Sequence, residues 1–176
     1  VLGCEEIDLS GRDDLVAELT GSLVIDRALG VGYCGLSERC DMAGAHAMYE
    51  AFGLRLMFCF DLAETAYPPP VVLPQLANRA AIIAADGFRD ATVPQAIACA
   101  YGDRTIWLTP AQRQAFAGNA ITLSARRVWM SARAAASLGA EQIAALNGYG
   151  FVVGSVDLAE IEKAGGSLRC CVGEIF

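Results

Sequence analysis

Short apolar runs and segments of helical spacing follow one another along the chain in an order that recurs. Ser22 to Asp26 and Gly32 to Leu36 read as two strands joined by a turn at Leu29-Gly30. Residues 43–52 then have helical spacing, with Met48 and Phe52 on one side and Gly53 as a stop signal. A third strand, rich in aromatic and branched residues, is predicted over 54–60. The same order returns downstream: a strand over 80–85, a helix over 93–100 and a strand over 105–108. Thr109 then offers an N-cap and Pro110 a first-turn residue for another helix. Residues 120–123 and 128–130 read as a hairpin, 131–138 and 140–146 as helices closed by Gly148 and Gly150, 151–156 as a strand and 158–164 as a short helix. Strand-strand-helix-strand units recurring along one chain predict an α/β architecture of repeated modules.

One stretch breaks the rhythm. Residues 65–78 contain Tyr67-Pro68-Pro69-Pro70-Val71 and then Pro74. Consecutive prolines remove amide donors and favour a polyproline II path, so a rigid linker between modules is expected here.

A chain of 176 residues suffices for one sizeable core and reads as a single domain. Its apolar fraction of 55% and mean hydropathy of +0.39 are high, yet charges or turn residues interrupt every apolar run, and no membrane-spanning helix is expected. The start, Val1-Leu2-Gly3-Cys4-Glu5-Glu6, has neither the basic residues nor the apolar stretch of a signal peptide, and without an initiator Met it reads as a fragment or processed piece. A net charge of −7 with scattered basic residues disfavours nucleic acid. Seven cysteines, an odd number without C-x-x-C spacing and beside a single histidine, predict neither a disulfide framework nor a metal site. Reduced thiols and a cytoplasmic location follow, with Cys34, Cys59 and Cys99 as small buried hydrophobes.

Candidate chemistry sits in the run Gly165-Gly166-Ser167-Leu168-Arg169-Cys170-Cys171. The glycines let the backbone turn sharply near a ligand, and Arg169 puts a cation beside a thiol, where it favours the reactive thiolate. If the segment is extended, Cys170 and Cys171 point to opposite faces and one of them meets a given pocket. The competing reading is a core strand starting at Cys170 after a glycine turn.

Several segments resemble the arginine deiminase-related amidinotransferase family of the guanidine-modifying, or pentein, superfamily, on the side of its citrulline-utilisation hydrolases. They are Glu18-Leu19-Thr20-Gly21-Ser22-Leu23-Val24 with Asp26-Arg27, Leu36-Ser37-Glu38-Arg39, Phe116-Ala117-Gly118-Asn119, Met130-Ser131, Ile161-Glu162, Gly165 to Cys170, and Glu174-Ile175-Phe176. The resemblance implies a partial α/β propeller (pentein fold) of strand-strand-helix-strand modules, with residues 1–176 forming the C-terminal portion, about three modules, of one amidinotransferase-like domain. It implies a cysteine-dependent hydrolase or deiminase of guanidino or ureido groups, acting on an arginine- or citrulline-like small molecule without a cofactor. Resonance makes that carbon a poor electrophile, so a thiolate nucleophile, a carboxylate clamp and a proton donor all contribute. Cys170 matches the nucleophile. Glu18 matches the acidic residue heading the family's Glu-Gly-Thr-Gly segment, with Leu19 in place of its first glycine, and would bind substrate nitrogens. Arg39 matches an arginine that holds a substrate carboxylate with its planar fork. Asn119 and Arg169 complete the candidate substrate-binding set.

One departure bears on activity. The family histidine lies in a Tyr-His-Thr-Asn-Val segment, and Pro68 stands in register with it. The single histidine, His46, falls in a predicted helix of another module. The alternative function is therefore a catalytically impaired ligand-binding or structural relative. Absent modules would leave strand edges uncovered, which predicts self-association into a homo-oligomer.

Overall fold

The computed structural model describes residues 6–63 and 73–173. A short α1 (Leu19–Ser22) leads into β1 (Leu23–Asp26), β2 (Val31–Leu36), α2 (Met42–Ala51) and β3 (Leu56–Asp61). Strands β1 and β2 pair antiparallel, whereas β2 and β3 pair parallel, with Cys34 opposite Cys59. An antiparallel partner is reached by a tight turn, here with Gly30 at φ 64°, but a parallel partner requires a crossover, which α2 supplies. The pattern repeats with β4 (Gln75–Leu76), β5 (Ala80–Ile83), α3 (Val93–Cys99) and β6 (Thr105–Trp107). After α4 (Pro110–Gln114) it repeats again with β7 (Ile121–Ser124), β8 (Arg127–Ser131), α5 (Ala132–Ser137), α6 (Ala140–Gly148) and β9 (Val152–Val156). A final α7 (Ala159–Glu162) precedes a 3-10 turn at Leu168–Cys171.

Three three-stranded sheets result, each ordered first, second, third strand. The first strands β1, β4 and β7 approach one another in succession, so the modules fan around a common axis. The modular α/β reading of the sequence holds, and so do its turns: Gly53 leaves α2 at φ 57° as the stop residue. Thr109 caps α4 through a reciprocal box, its Oγ1 accepting from Gln112 N at 3.2 Å and its N–H donating to Gln112 Oε1 at 3.0 Å.

Two expectations need correction. The stretch expected to be only a linker contains β4, the first strand of the middle module. Its two residues are too few to show alternation, and they lie between Pro74 and the left-handed pair Ala77 and Asn78, at φ 46° and 56°. Pro74 contributes its carbonyl to Ile82 N at 3.1 Å, extending the pairing with β5. The tract Pro68-Pro69-Pro70 itself lies outside the described residues. Cys99, expected to be buried, is exposed at the end of α3, because Pro94, Ile97 and Ala98 take the inward face. Cys34 is buried as expected and Cys59 partly so.

The main core runs through the middle and third modules. All four residues of β5 are fully buried, and Val128, Met130, Leu146 and Phe151 pack against the same cluster. A second cluster, Leu23, Cys34, Cys40, Ala45 and Met48, fills the space between the first sheet and α2. No helix among the described residues is long and apolar enough to cross a membrane.

A buried polar contact ties the first module to the second. Asp26, 1% exposed, accepts from Tyr101 Oη at 2.9 Å and from Leu29 N at 3.0 Å. Burial, with the Tyr33 and Asp26 charges behind it, pushes the Tyr101 hydroxyl above its ordinary value. Burial pushes Tyr33 up as well. A raised folded-state value means that the stabilisation is complete below the ordinary tyrosine value of about 10 and is lost as pH rises beyond it. Urea midpoints measured from neutral to alkaline pH should stay level to about pH 10 and then fall. The Tyr101→Phe variant should start lower, having lost the bond to Asp26, and decline less steeply. An equally steep decline in the variant would show that this hydroxyl does not govern alkaline unfolding.

Candidate functional site

The site is built around the turn that carries Cys170. Gly165 adopts φ 87°, a conformation side chains resist, and reverses the chain after α7. Ser167 is fully buried and donates from Oγ to Glu162 Oε1 at 2.7 Å, with Glu162 itself 8% exposed. This short bond from a buried hydroxyl to a carboxylate fastens the turn to the end of α7. The 3-10 turn packs on β8 and on α1. Within it, Cys171 Sγ turns back to the Ser167 carbonyl at 3.4 Å, and both Cys170 and Cys171 are solvent-exposed. Cys170 and Cys171 both lie in this 3-10 turn, and the core strand considered from the sequence does not begin here.

Asn119 holds the turn from the other side. It is 1% exposed, and its Oδ1 accepts from Arg169 N at 2.6 Å while its Nδ2 donates to Cys170 Sγ at 3.1 Å. A backbone N–H can only donate, so the carboxamide oxygen must face Arg169, and this directs the amide nitrogen at the sulfur. Asn119 is positioned by a bend in which Phe116 takes φ 65° and its carbonyl accepts from Asn119 N at 2.8 Å. A bulky aromatic in the left-handed region is strained. The guanidinium of Arg133 lies 5.6 Å from the Phe116 ring centroid and helps to hold it there.

Glu18 and Arg39 form a second constellation. Arg39 Nε lies 3.2 Å from Glu18 Oε2 and Nη1 lies 3.4 Å from Oε1, a fork-on-carboxylate pair whose side chains remain 42% and 35% exposed. Gly21 makes room for it, since a Cβ there would stand 2.9 Å from Glu18 Oε1. Glu18 immediately precedes α1, which packs on the Cys170 turn, so the carboxylate and the thiol are brought to neighbouring elements.

Where β1, β4 and β7 converge, a cavity of about 320 Å³ opens beside the turn. Thr20, Val24, Gln75, Asn78, Thr122 and Arg169 are among the residues that line it, giving a mixed polar and apolar wall. Of the five site residues expected from the sequence, Cys170, Asn119 and Arg169 are joined by hydrogen bonds, and Glu18 and Arg39 by an ion pair. His46 lies elsewhere, on α2, stacked on Tyr49 at 6.0 Å and 3.5 Å from Glu50 Oε1. Pro68 lies outside the described residues. Sequence reasoning missed the Ser167–Glu162 brace; a serine inside a glycine-rich turn signalled a capping hydroxyl but not its partner. Among the described residues, no three His, Cys, Asp or Glu side chains converge as a metal site.

Strand-strand-helix-strand modules fanned about an axial cavity, with a cysteine presented on a braced turn beside it, define a pentein-type α/β propeller. Comparison with known proteins agrees. The chain belongs to the family described as N,N dimethylarginine dimethylhydrolase, eukaryotic, whose sequence profile matches residues 4–176. Curated proteins yield no match. Among solved structures, the N-terminal domain of ArgZ bound to product, an arginine dihydrolase from the ornithine-ammonia cycle in cyanobacteria, matches with a TM-score of 0.75 and 21% identity over 89% of this chain and 55% of its own. Unliganded AgrE matches with a TM-score of 0.74 and 23% identity over 90% of this chain and 23% of its own. A dimethylarginine dimethylaminohydrolase adduct with 4-chloro-2-hydroxymethylpyridine matches with a TM-score of 0.62 and 20% identity over 85% of this chain and 54% of its own. These likenesses are of fold, and the chain spans only about half the length of the first and last of them.

The Asn119 bridge makes a direct prediction. Asn119→Ala leaves the Arg169 N–H without its acceptor and should cost about 1–3 kcal/mol, read as a lower urea midpoint. Asn119→Asp keeps that acceptor but sets a carboxylate against the sulfur, so alkylation of Cys170 by iodoacetamide at neutral pH should slow several-fold, and burial of the new charge should lower the urea midpoint as well. Unchanged alkylation in the aspartate variant would mean that the amide does not govern the thiol.

Proposed function

We propose that this chain acts on the guanidino group of an arginine-like small molecule, with Cys170 as the nucleophile. The observation that carries this reading is the contact between the buried Asn119 amide and the exposed Cys170 sulfur, in a chain that belongs to a dimethylarginine hydrolase family. The Cys170 thiolate attacks the guanidinium carbon and forms a C–S bond; the C–N bond to the departing amine breaks, and the amine takes up a proton. Water then attacks the same carbon and releases the thiolate, leaving a ureido product. The Asn119 N–H orients the sulfur and stabilises its negative charge. Glu18 offers the carboxylate for the substrate's nitrogens, and Arg39 the fork for its α-carboxylate. A ligand carrying both groups would exchange the Glu18–Arg39 pair for two pairings of its own. Arg169 adds positive charge at the cavity wall.

A second reading, a catalytically weak relative, has its own support. Cys170 Sγ accepts from an amide, which donates a hydrogen bond but does not serve as a general acid or base at neutral pH. With Pro68 in register with the family histidine, the departing amine must draw its proton from water, and absent general acid-base assistance is worth about 10²–10⁴ in rate. Three modules, and a span of about half the length of the ArgZ domain, fit a C-terminal portion of a longer amidinotransferase-like domain. The remaining modules would then bring further substrate contacts, and the uncovered edges would favour self-association.

The test is an amidine-directed label. Chloroacetamidine should modify Cys170 in preference to the other thiols, as read by peptide mass mapping, and free arginine or dimethylarginine should protect it. Release of citrulline and dimethylamine from dimethylarginine, or of citrulline and ammonia from arginine, should be slow and absent in Cys170→Ser. Modification spread evenly over the exposed cysteines Cys99, Cys170 and Cys171, without protection, would overturn the proposal.

A further inference from the structure

Away from the Cys170 turn, a second pair of sulfurs faces each other. Cys34 on β2 and Cys40 in the following loop are both fully buried, and their Sγ atoms lie 3.6 Å apart. The loop between them is closed by reciprocal backbone bonds between Ser37 and Cys40, at 3.0 and 3.2 Å. Cys59 lies opposite Cys34 on β3, is only partly buried and lines an apolar groove with Met42, His46 and Tyr49. The groove reaches Cys59, and neither Cys34 nor Cys40 lines it.

We propose that Cys34 and Cys40 form a redox pair whose closure to a disulfide displaces the loop bearing Arg39 and disturbs its partner Glu18. The two thiols are unlike. Either sulfur can donate across their contact, and the backbone N–H of Glu18 faces Cys40; the Cys34 contact and that N–H hold Cys40 below its ordinary value against the effect of burial. Cys34 is pushed up by its contact with Cys40 and by its burial. Cys40 is therefore the sulfur that reacts first with a peroxide. Its thiolate attacks one peroxide oxygen, the O–O bond breaks, a sulfenic acid forms, and the hydroxide released takes up a proton. The Cys34 sulfur then attacks the Cys40 sulfur; the S–O bond breaks, and the departing hydroxide leaves as water with the Cys34 proton. Both cysteines are oxidised, and one peroxide is reduced to two waters.

Closure shortens the sulfur–sulfur distance from 3.6 Å to about 2 Å. Cys40 follows Arg39 in the chain, so the loop must move with it. The Glu18 N–H faces the Cys40 sulfur that moves, and Glu18 is the partner of Arg39. The pair thus reports oxidation to the carboxylate and guanidinium assigned above to substrate binding. That last link rests on the proposed function, whereas the pair itself does not.

The experiment treats the purified chain with hydrogen peroxide, blocks free thiols with N-ethylmaleimide and maps the peptides by mass spectrometry. A dithiothreitol-reversible link between Cys34 and Cys40 is expected, absent in Cys34→Ser, together with several-fold faster amide hydrogen exchange at Glu18. Recovery of Cys34 and Cys40 as maleimide adducts, after Cys99 and Cys170 have been oxidised, overturns the pair in the unmutated chain, whatever the variant's folding. A mapped link that leaves exchange at Glu18 unchanged overturns the coupling. Arginine binding by calorimetry, reduced against oxidised, separates the two proposals. Binding weakened several-fold by oxidation and restored by dithiothreitol supports both; a reduced chain that binds no arginine removes the functional reading while the mapped link stands.

Discussion

The parallel pairing of second and third strands in every module is the constraint from which the rest follows. A hairpin can deliver only an antiparallel neighbour, so each third strand must be reached by a crossover that covers one face of its sheet. With the third strand and its crossover on one side of each sheet, the first strand is left on the other, and it is the first strands that meet. The axial cavity is a consequence of that arrangement, and its lining comes mostly from the first strands and the residues flanking them, with Arg169 added from the final turn. Chemistry is then added from outside the sheets: Glu18 stands before β1, Asn119 before β7, and Cys170 after the last module.

Much of this was legible in the sequence because the signals were local. A strand pair with a glycine turn, helical spacing ended by Gly53, and Thr109-Pro110 before a helix each depend on a few adjacent residues, and each reappears in the structure. Strand β4 was not legible, since two residues carry no period and its pairing is decided by β5, which is buried on both faces. Cys99 was misjudged for a related reason: composition makes a cysteine an inner residue, but its place at the end of α3 turns it outward.

The site was legible as a set of residue types but not as a set of contacts. Cys170, Glu18, Arg39, Asn119 and Arg169 could be named from the segments that resemble a known family. The sequence did not reveal that Asn119 would have both ends of its carboxamide engaged, because its partners lie some fifty positions away. The same holds for the wound turn that carries Cys170 and Cys171, which is fastened by Ser167 buried against Glu162.

The strained bend at Phe116 carries a consequence for how the molecule can vary. Its ring is faced by Arg133, an exposed residue of α5 that touches neither the cavity nor Cys170. If Arg133 were lost, the left-handed backbone at Phe116 would have less to hold it, and the carbonyl that fixes Asn119 would be free to swing. A surface arginine of the third module is thereby linked, through one ring and one peptide unit, to the angle at which a sulfur meets its hydrogen-bond donor. Drift at that position would be silent in the core yet felt at the thiol, so natural variation at Arg133 and Phe116 should be coupled rather than independent.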